Sequence, residues 1–185
     1  MSKLFFIIGN SGSGKDSLVQ EAIENYPSDR KEIKIPVRVI TRPPSPETED
    51  YESVDEETFL KWQEEGKFAL TWYIYGLHYG IRTEILEWMR QGHPVIVNVS
   101  RKIIESARKQ FDNLKVIFVQ VPFEITAARI KDRGREDEEA MQARLERARK
   151  NQTYPSADYT VDNSGDLKIA AKSMLNYILS AVSGK

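Results

Sequence analysis

Residues 9–17 read GNSGSGKDS. Gly9, Gly14 and Lys15 satisfy G-x-x-x-x-G-K, the spacing of a loop that wraps phosphate oxygens in backbone N–H groups. The flanks are the ones this loop requires. KLFFIIG, residues 3–9, is a short continuous apolar run that ends in glycine and suits a buried parallel strand. KDSLVQEAIENY, residues 15–26, has helical spacing at Leu18, Ala22 and Ile23 and stops before Pro27. In a strand–loop–helix unit the glycines let N–H groups turn inward and the helix N-terminus adds partial positive charge. Lys15 is placed to reach the β- and γ-phosphates of a nucleoside triphosphate. The expected nucleotide-binding set is therefore Gly9, Asn10, Ser11, Gly12, Ser13, Gly14, Lys15, Asp16 and Ser17. Asp16 stands where such loops carry Ser or Thr. An aspartate there can help hold Mg²⁺, or it can simply favour the helix N-terminus by its charge. Both readings stay open on sequence alone.

Outward from the loop, strands and helices alternate. EIKIPVRVITR (32–42) reads as a strand with Pro36 at an edge or start, and SVDEETFLKWQEEGK (53–67) as a helix capped by Asp55 and stopped by Gly66. FALTWYIYGLHYGI (68–81) reads as aromatic strand segments around Gly76. RTEILEWMRQG and RKIIESARKQF read as helices, PVIVNVS and LKVIFVQV as buried strands. Residues 122–152 form a long helical stretch broken near Gly134, and DYTVDN and DLKIAAKSMLNYILSAV close the chain as strand and helix. Such alternation implies an α/β fold with a parallel sheet core flanked by helices. The expected organisation is one kinase-like domain over 1–185, with a core of 1–33 and 81–185. An insertion of about 34–80 and a short arginine-rich lid of about 132–140 would close over ligand.

Composition narrows the chemistry. With 185 residues and 40% apolar content, the chain can bury a sizeable core. Net charge is −1, so no global basic field recruits nucleic acid or an anionic membrane. There is no cysteine, which removes disulfides, thiolate catalysis and cysteine metal sites; two histidines do not make a multi-histidine metal centre. The apolar opening LFFII is too short for a signal-peptide core or a membrane span, so the expected location is cytoplasmic. The expected partner is a small molecule; a homodimer stays open.

Positive charge is local. Arg129, Arg133, Arg135, Arg144 and Arg147 follow the helix break, and guanidinium forks suit a transferring phosphoryl group better than ammonium does. Interleaved acidic residues make a salt-bridged helix face the alternative, and it is the preferred reading for Arg147. Arg42 and Arg101 follow strands, at the carboxyl ends where ligands sit in open α/β sheets. Arg38, Arg82 and His78 lie nearby, the last two as readily surface residues as contacts. Trp62, Trp72 and Trp88 read as core rather than as stacking platforms.

Taken together, GNSGSGKDS, VITRPP, WYIYGLHYGI, PVIVNVS and RIKDRGREDEEAMQARLERA resemble guanylate kinase-like nucleoside monophosphate kinases over nearly the whole chain. The resemblance implies a P-loop nucleoside monophosphate kinase fold. Within that group the chain is most similar to the ribose 1,5-bisphosphate phosphokinases of phosphonate degradation. It departs from guanylate kinases at their base-reading positions, with Thr71, Ile81 and Ser100 in place of hydrogen-bonding or acidic groups, and with Ser45 in place of a second arginine. The phosphate set is kept at Arg42, Tyr79 and Tyr51. The sugar-kinase relatives share GKDS, ITR and the N-x-S-R strand end, so Asp16 agrees with them. The resemblance implies ATP and Mg²⁺ as cofactors and a phosphosugar as substrate. It assigns Lys15, Arg133 and Arg144, with Arg129 in support, to the transferred phosphate. Arg38, Arg42, Tyr51, Tyr79 and Arg101 fall to the acceptor, and Asn163 to the surroundings of adenine. Guanylate kinase is the alternative activity, and a non-catalytic binding module of that fold a further one.

Overall fold

A computed structural model describes residues 3–44, 51–132 and 138–184. The elements follow in the order β1 (Leu4–Gly9), α1 (Lys15–Glu24), β2 (Arg38–Ile40), β3 (Tyr51–Ser53), α2 (Glu56–Glu64), β4 (Phe68–Ile74) and β5 (Leu77–Arg82). There follow α3 (Glu84–Arg90), β6 (Val95–Asn98), a 3-10 turn (Arg101–Ile103), α4 (Ile104–Gln110) and β7 (Leu114–Gln120). The chain closes with α5 (Phe123–Asp132), α6 (Glu138–Lys150), β8 (Tyr159–Asp162) and α7 (Leu167–Val182). A four-stranded parallel sheet has the order β6-β1-β7-β8, and a second sheet the order β3-β2-β5-β4. The α/β architecture expected from the alternation is the one found.

The chain divides into two compact units. Phe5–Arg30 with Lys115–Lys185 carry the phosphate loop. Within this unit Phe5, Phe6, Ile7, Ile8, Ile117 and Phe118 are almost wholly buried, as continuous apolar runs in a parallel sheet must be. β7 and β8 pair in parallel from Ile117↔Tyr159 to Gln120↔Asp162, and α1 packs on α7.

Met1–Leu4 with Lys31–Leu114 form the other unit. Its sheet has two faces, set by register. Arg38 opposes Tyr51 on β3 and Ile81 on β5, while Ile40 opposes Ser53 and Tyr79. β4 adds Leu70 opposite Ile81 and Trp72 opposite Tyr79. Directly opposed residues share a face, so Arg38, Tyr51, Ser53, Trp72, Tyr79 and Ile81 lie on one side. The other side carries Val39, Gly80 and Thr71. Phe59 of α2, fully buried, stacks on Phe68 at 4.7 Å and lies 5.2 Å from the His78 ring. Asp55 caps α2 by accepting the Thr58 N–H at 2.7 Å, and Gly66 follows the helix at φ 69°, as the sequence predicts. The β4–β5 hairpin turns through Tyr75 and Gly76, at φ 54° and 76°, the positive pair that a tight two-residue turn between twisted strands needs.

The segment 32–42 departs from the single strand expected of it. Lys34 makes an isolated bridge to Val95, and the strand proper is only Arg38–Ile40. Pro36 between them has no N–H to give a ladder. β3 was not expected at all. Of the proline-rich acidic stretch 43–50, residues 45–50, Ser45 included, lie outside the described residues.

Candidate active site

The loop between β1 and α1 has the shape of an anion cradle. Gly14 stands at φ 75° as the first cap of α1, and no side chain caps the helix, so its leading N–H groups face the loop interior. Gly9 runs so close to β7 that an added Cβ would come 2.8 Å from the Val119 carbonyl oxygen. Ser13 Oγ is buried and has no hydrogen-bond partner among the described residues, an expensive state unless something fills the cradle. Lys15 Nζ donates to the Asn10 carbonyl at 3.2 Å, which holds the ammonium over the loop. An orphaned hydroxyl, uncapped N–H groups and a lysine are the donor set that a polyphosphate takes. Ser17 is exposed in the first turn of α1.

Side chains from distant parts of the sequence brace this loop. Asn163, just past β8, is buried, and its Nδ2 donates to the Ser13 carbonyl at 2.8 Å. A Cβ on Gly14 would come 2.8 Å from the same nitrogen. Arg129, in the last turn of α5, donates to the carbonyls of Gly12 at 3.4 Å and Asn163 at 3.5 Å. The Gly12 and Ser13 carbonyls are thereby tied back, while the Ser13 N–H donates to the Asn10 carbonyl at 3.1 Å. Arg144 of α6 donates to Ser11 Oγ. Lys15, Arg129, Arg144 and Asn163 thus gather at the loop, with the Asn163 amide bonded to its backbone. Arg133 and the lid residues 133–137 lie outside the described residues.

Asp16 is exposed, immediately after Lys15. Among the described residues no group of three or more His, Asp or Glu side chains could hold a metal. A lone carboxylate beside a phosphate cradle is still compatible with Mg²⁺, which draws most of its ligands from phosphates and water.

In the other unit Arg42 donates to the Tyr79 hydroxyl at 3.3 Å and lies over the Tyr51 ring at 5.8 Å. Tyr51 donates to the Pro43 carbonyl at 2.6 Å, and Ser53 Oγ donates to the Arg42 carbonyl, so β3 fixes the arginine's backbone. Tyr79 is held flat against Trp72, with centroids 5.2 Å apart and planes 7° from parallel. Arg38 lies on the same face by register. Ile81 and Leu70 share that face, both buried in the core. Thr71 is on the opposite face. Arg101 opens the 3-10 turn after β6, and Ser100 caps that turn by accepting the Lys102 N–H at 3.3 Å.

Other residues resolve into structural roles. Arg82 pairs with Glu52 at 2.7 Å and lies 4.5 Å over the Trp62 ring, and His78 Nε2 is 3.1 Å from Glu56. Trp72 is buried, as expected of a core residue.

A family model described as guanylate kinase matches residues 1–181. The chain belongs to the guanylate kinase family. Among the family member's relatives is the ribose 1,5-bisphosphate phosphokinase PhnN of Brucella melitensis, 34% identical over 172 residues, which are 93% of this chain and 89% of that protein. The protein of the same name from Desulfomicrobium baculatum is 37% identical over 186 residues, covering 100% and 99% of the two chains. At this identity and coverage the family member stands with the ribose 1,5-bisphosphate phosphokinases. The crystal structure of guanylate kinase from Anaplasma phagocytophilum shares the fold, with a TM-score of 0.68 at 18% identity over 98% of this chain and 87% of that one. Among the described residues no helix is long and apolar enough to cross a membrane.

Proposed function

We propose that this protein uses MgATP to phosphorylate the 1-phosphate of ribose 1,5-bisphosphate, giving ADP and 5-phosphoribosyl 1-diphosphate. The observation that carries this reading is the face of Arg38, Arg42, Tyr51 and Tyr79. It places two guanidinium groups and two phenols on one face, and Ile81, at the position where guanylate kinases by resemblance carry a base-reading hydroxyl, is apolar and buried. A site built to read a base would need hydrogen-bonding groups there. Relatives named for the sugar bisphosphate, matched nearly end to end, support the same acceptor.

In the reaction a 1-phosphate oxygen forms a bond to the γ-phosphorus of ATP, the bond from that phosphorus to the β,γ-bridging oxygen breaks, and ADP leaves. The attacking oxygen is already anionic near neutral pH, so no general base is required. Positioning and charge neutralisation supply the catalysis. The loop N–H groups and Lys15 bind the donor phosphates. Arg144, and by resemblance Arg133, offset charge on the transferred group, with Arg129 holding the loop that receives it. Arg42, Tyr79, Arg38, Tyr51 and Arg101 hold the acceptor phosphates. Mg²⁺ would offset charge on the donor phosphates, with Asp16 the carboxylate that would help hold it. The segment of about 34–80 is the proposed acceptor-binding part, and about 132–140 the proposed lid.

Phosphorus NMR of the product tests the proposal: the two coupled resonances of a new diphosphate on the sugar are expected, and their absence in an active reaction would exclude it. For the metal, Asp16→Ser is expected to raise the Mg²⁺ concentration for half-maximal rate by about tenfold, the effect of losing one ligand-shell carboxylate. An unchanged Mg²⁺ titration would assign Asp16 to the helix N-terminus alone.

A further inference from the structure

Asn10 is the second residue of the loop, and its side chain turns away from the cradle. Its Nδ2 donates to the carbonyls of Ala148 and Asn151, both at 3.1 Å. The Ala148 carbonyl lies in the last turn of α6, where carbonyls lack an intrahelical partner, and it also accepts from Gln152 Nε2; Asn151 is the first residue past the helix. Two oxygens face the amide, so the group between them is the nitrogen with its two hydrogens. One turn back, at i−4 from buried Ala148 and so on the same helix face, Arg144 reaches Ser11 Oγ. Adjacent loop residues therefore grip a single helix at two points. The backbone of Asn10 is engaged as well: its carbonyl accepts from Lys15 Nζ at 3.2 Å and from the Ser13 N–H at 3.1 Å.

We propose that Asn10 is a positioning residue: it docks the C-terminal end of α6 on the phosphate loop and so sets where Arg144 stands relative to Lys15. This rests on the reading of Lys15 and Arg144 as the charges on the donor and transferred phosphates. Asn10 contributes its backbone to the cradle like its neighbours. Its side chain acts on the transferred group only through α6.

The test compares Asn10→Ala, which removes both donors, with Asn10→Asp, which keeps the size and sets a carboxylate against two carbonyls. In steady state with ribose 1,5-bisphosphate, Asn10→Ala is expected to lower kcat about tenfold and to leave KM for ATP and MgADP affinity within about twofold. Asn10→Asp is expected to lose more than Asn10→Ala. In an Arg144→Ala background the Asn10→Ala effect should shrink below about twofold, because the two residues act as one unit. Independently of turnover, amide hydrogen exchange in residues 146–152 should speed up in both variants while that in 15–24 does not. An Asn10→Asp protein with wild-type kcat would mean the side chain only fills space. Loss of MgADP affinity in step with kcat would make it a nucleotide contact. A full tenfold loss on top of Arg144→Ala, or unchanged exchange in 146–152, would likewise overturn the docking role. If the unmodified protein turns over no sugar bisphosphate, the functional reading fails, and the exchange measurement still decides the docking.

Discussion

Gly14 is held at φ 75° with the Asn163 amide where a side chain would begin. A left-handed residue with a Cβ costs about 1–2 kcal/mol before any clash, and here the obstacle is a buried, hydrogen-bonded nitrogen. Gly14→Ala should therefore lower Tm by several degrees and weaken MgADP binding at least about tenfold, read by calorimetry on the folded variant. The capping carboxylate of Asp55 gives a prediction with a pH sign. The Thr58 N–H it accepts holds its carboxyl below the ordinary range. A folded pKa below the unfolded one means stabilisation that is complete above the unfolded value and fades as pH falls through the folded value. The Tm gap between wild type and Asp55→Ala should be open at neutral pH and close under strongly acidic conditions. At this scale the loop residues were legible because G-x-x-x-x-G-K keeps its chemistry in consecutive positions. The braces were not: Asn163 reaches Ser13 across 150 positions, and Arg129 reaches Gly12 across 117. No periodicity announces such a contact.

At the scale of elements, apolar period and punctuation carried the reading where the segments are long. α2 was legible end to end, from its Asp55 cap to Gly66. β2 was legible only as part of a longer strand over 32–42, and β3 not at all, since three-residue strands hold too few positions for alternation to show. β3 matters all the same, because Ser53 and Tyr51 fix the backbone around Arg42. What anchors α2 to its sheet is Phe59 between Phe68 and His78. Phe59→Ala leaves a cavity the size of a ring in a fully buried site, expected to cost about 3–5 kcal/mol. The loss should appear in denaturant unfolding as a lower midpoint. A change under about 1 kcal/mol would mean that α2 is held by its cap and rim and not by this ring. The helix break expected near Gly134 lies outside the described residues, between Asp132 of α5 and Glu138 of α6.

For the whole molecule, the alternation of strands and helices told the fold class, and membership of the guanylate kinase family agrees with it. The acceptor was less legible from pattern alone. The proposed acceptor rests on the resemblance, on the Arg42–Tyr79 pair, and on apolar, buried Ile81 at a position matching a base-reading one. Thr71, at the position that matches the base-reading carboxylate, lies on the other face of the sheet opposite Gly80. A protein of this family that keeps phosphate cations and buries apolar side chains beside them should favour an acceptor made of phosphates and a sugar. The direct measurement is ADP release with MgATP and either ribose 1,5-bisphosphate or GMP as acceptor, at matched concentrations. The account predicts kcat/KM for the sugar bisphosphate at least about a hundredfold above that for GMP, the scale set by missing hydrogen-bond partners for a base. Strong turnover of GMP with none of the sugar bisphosphate would contradict it.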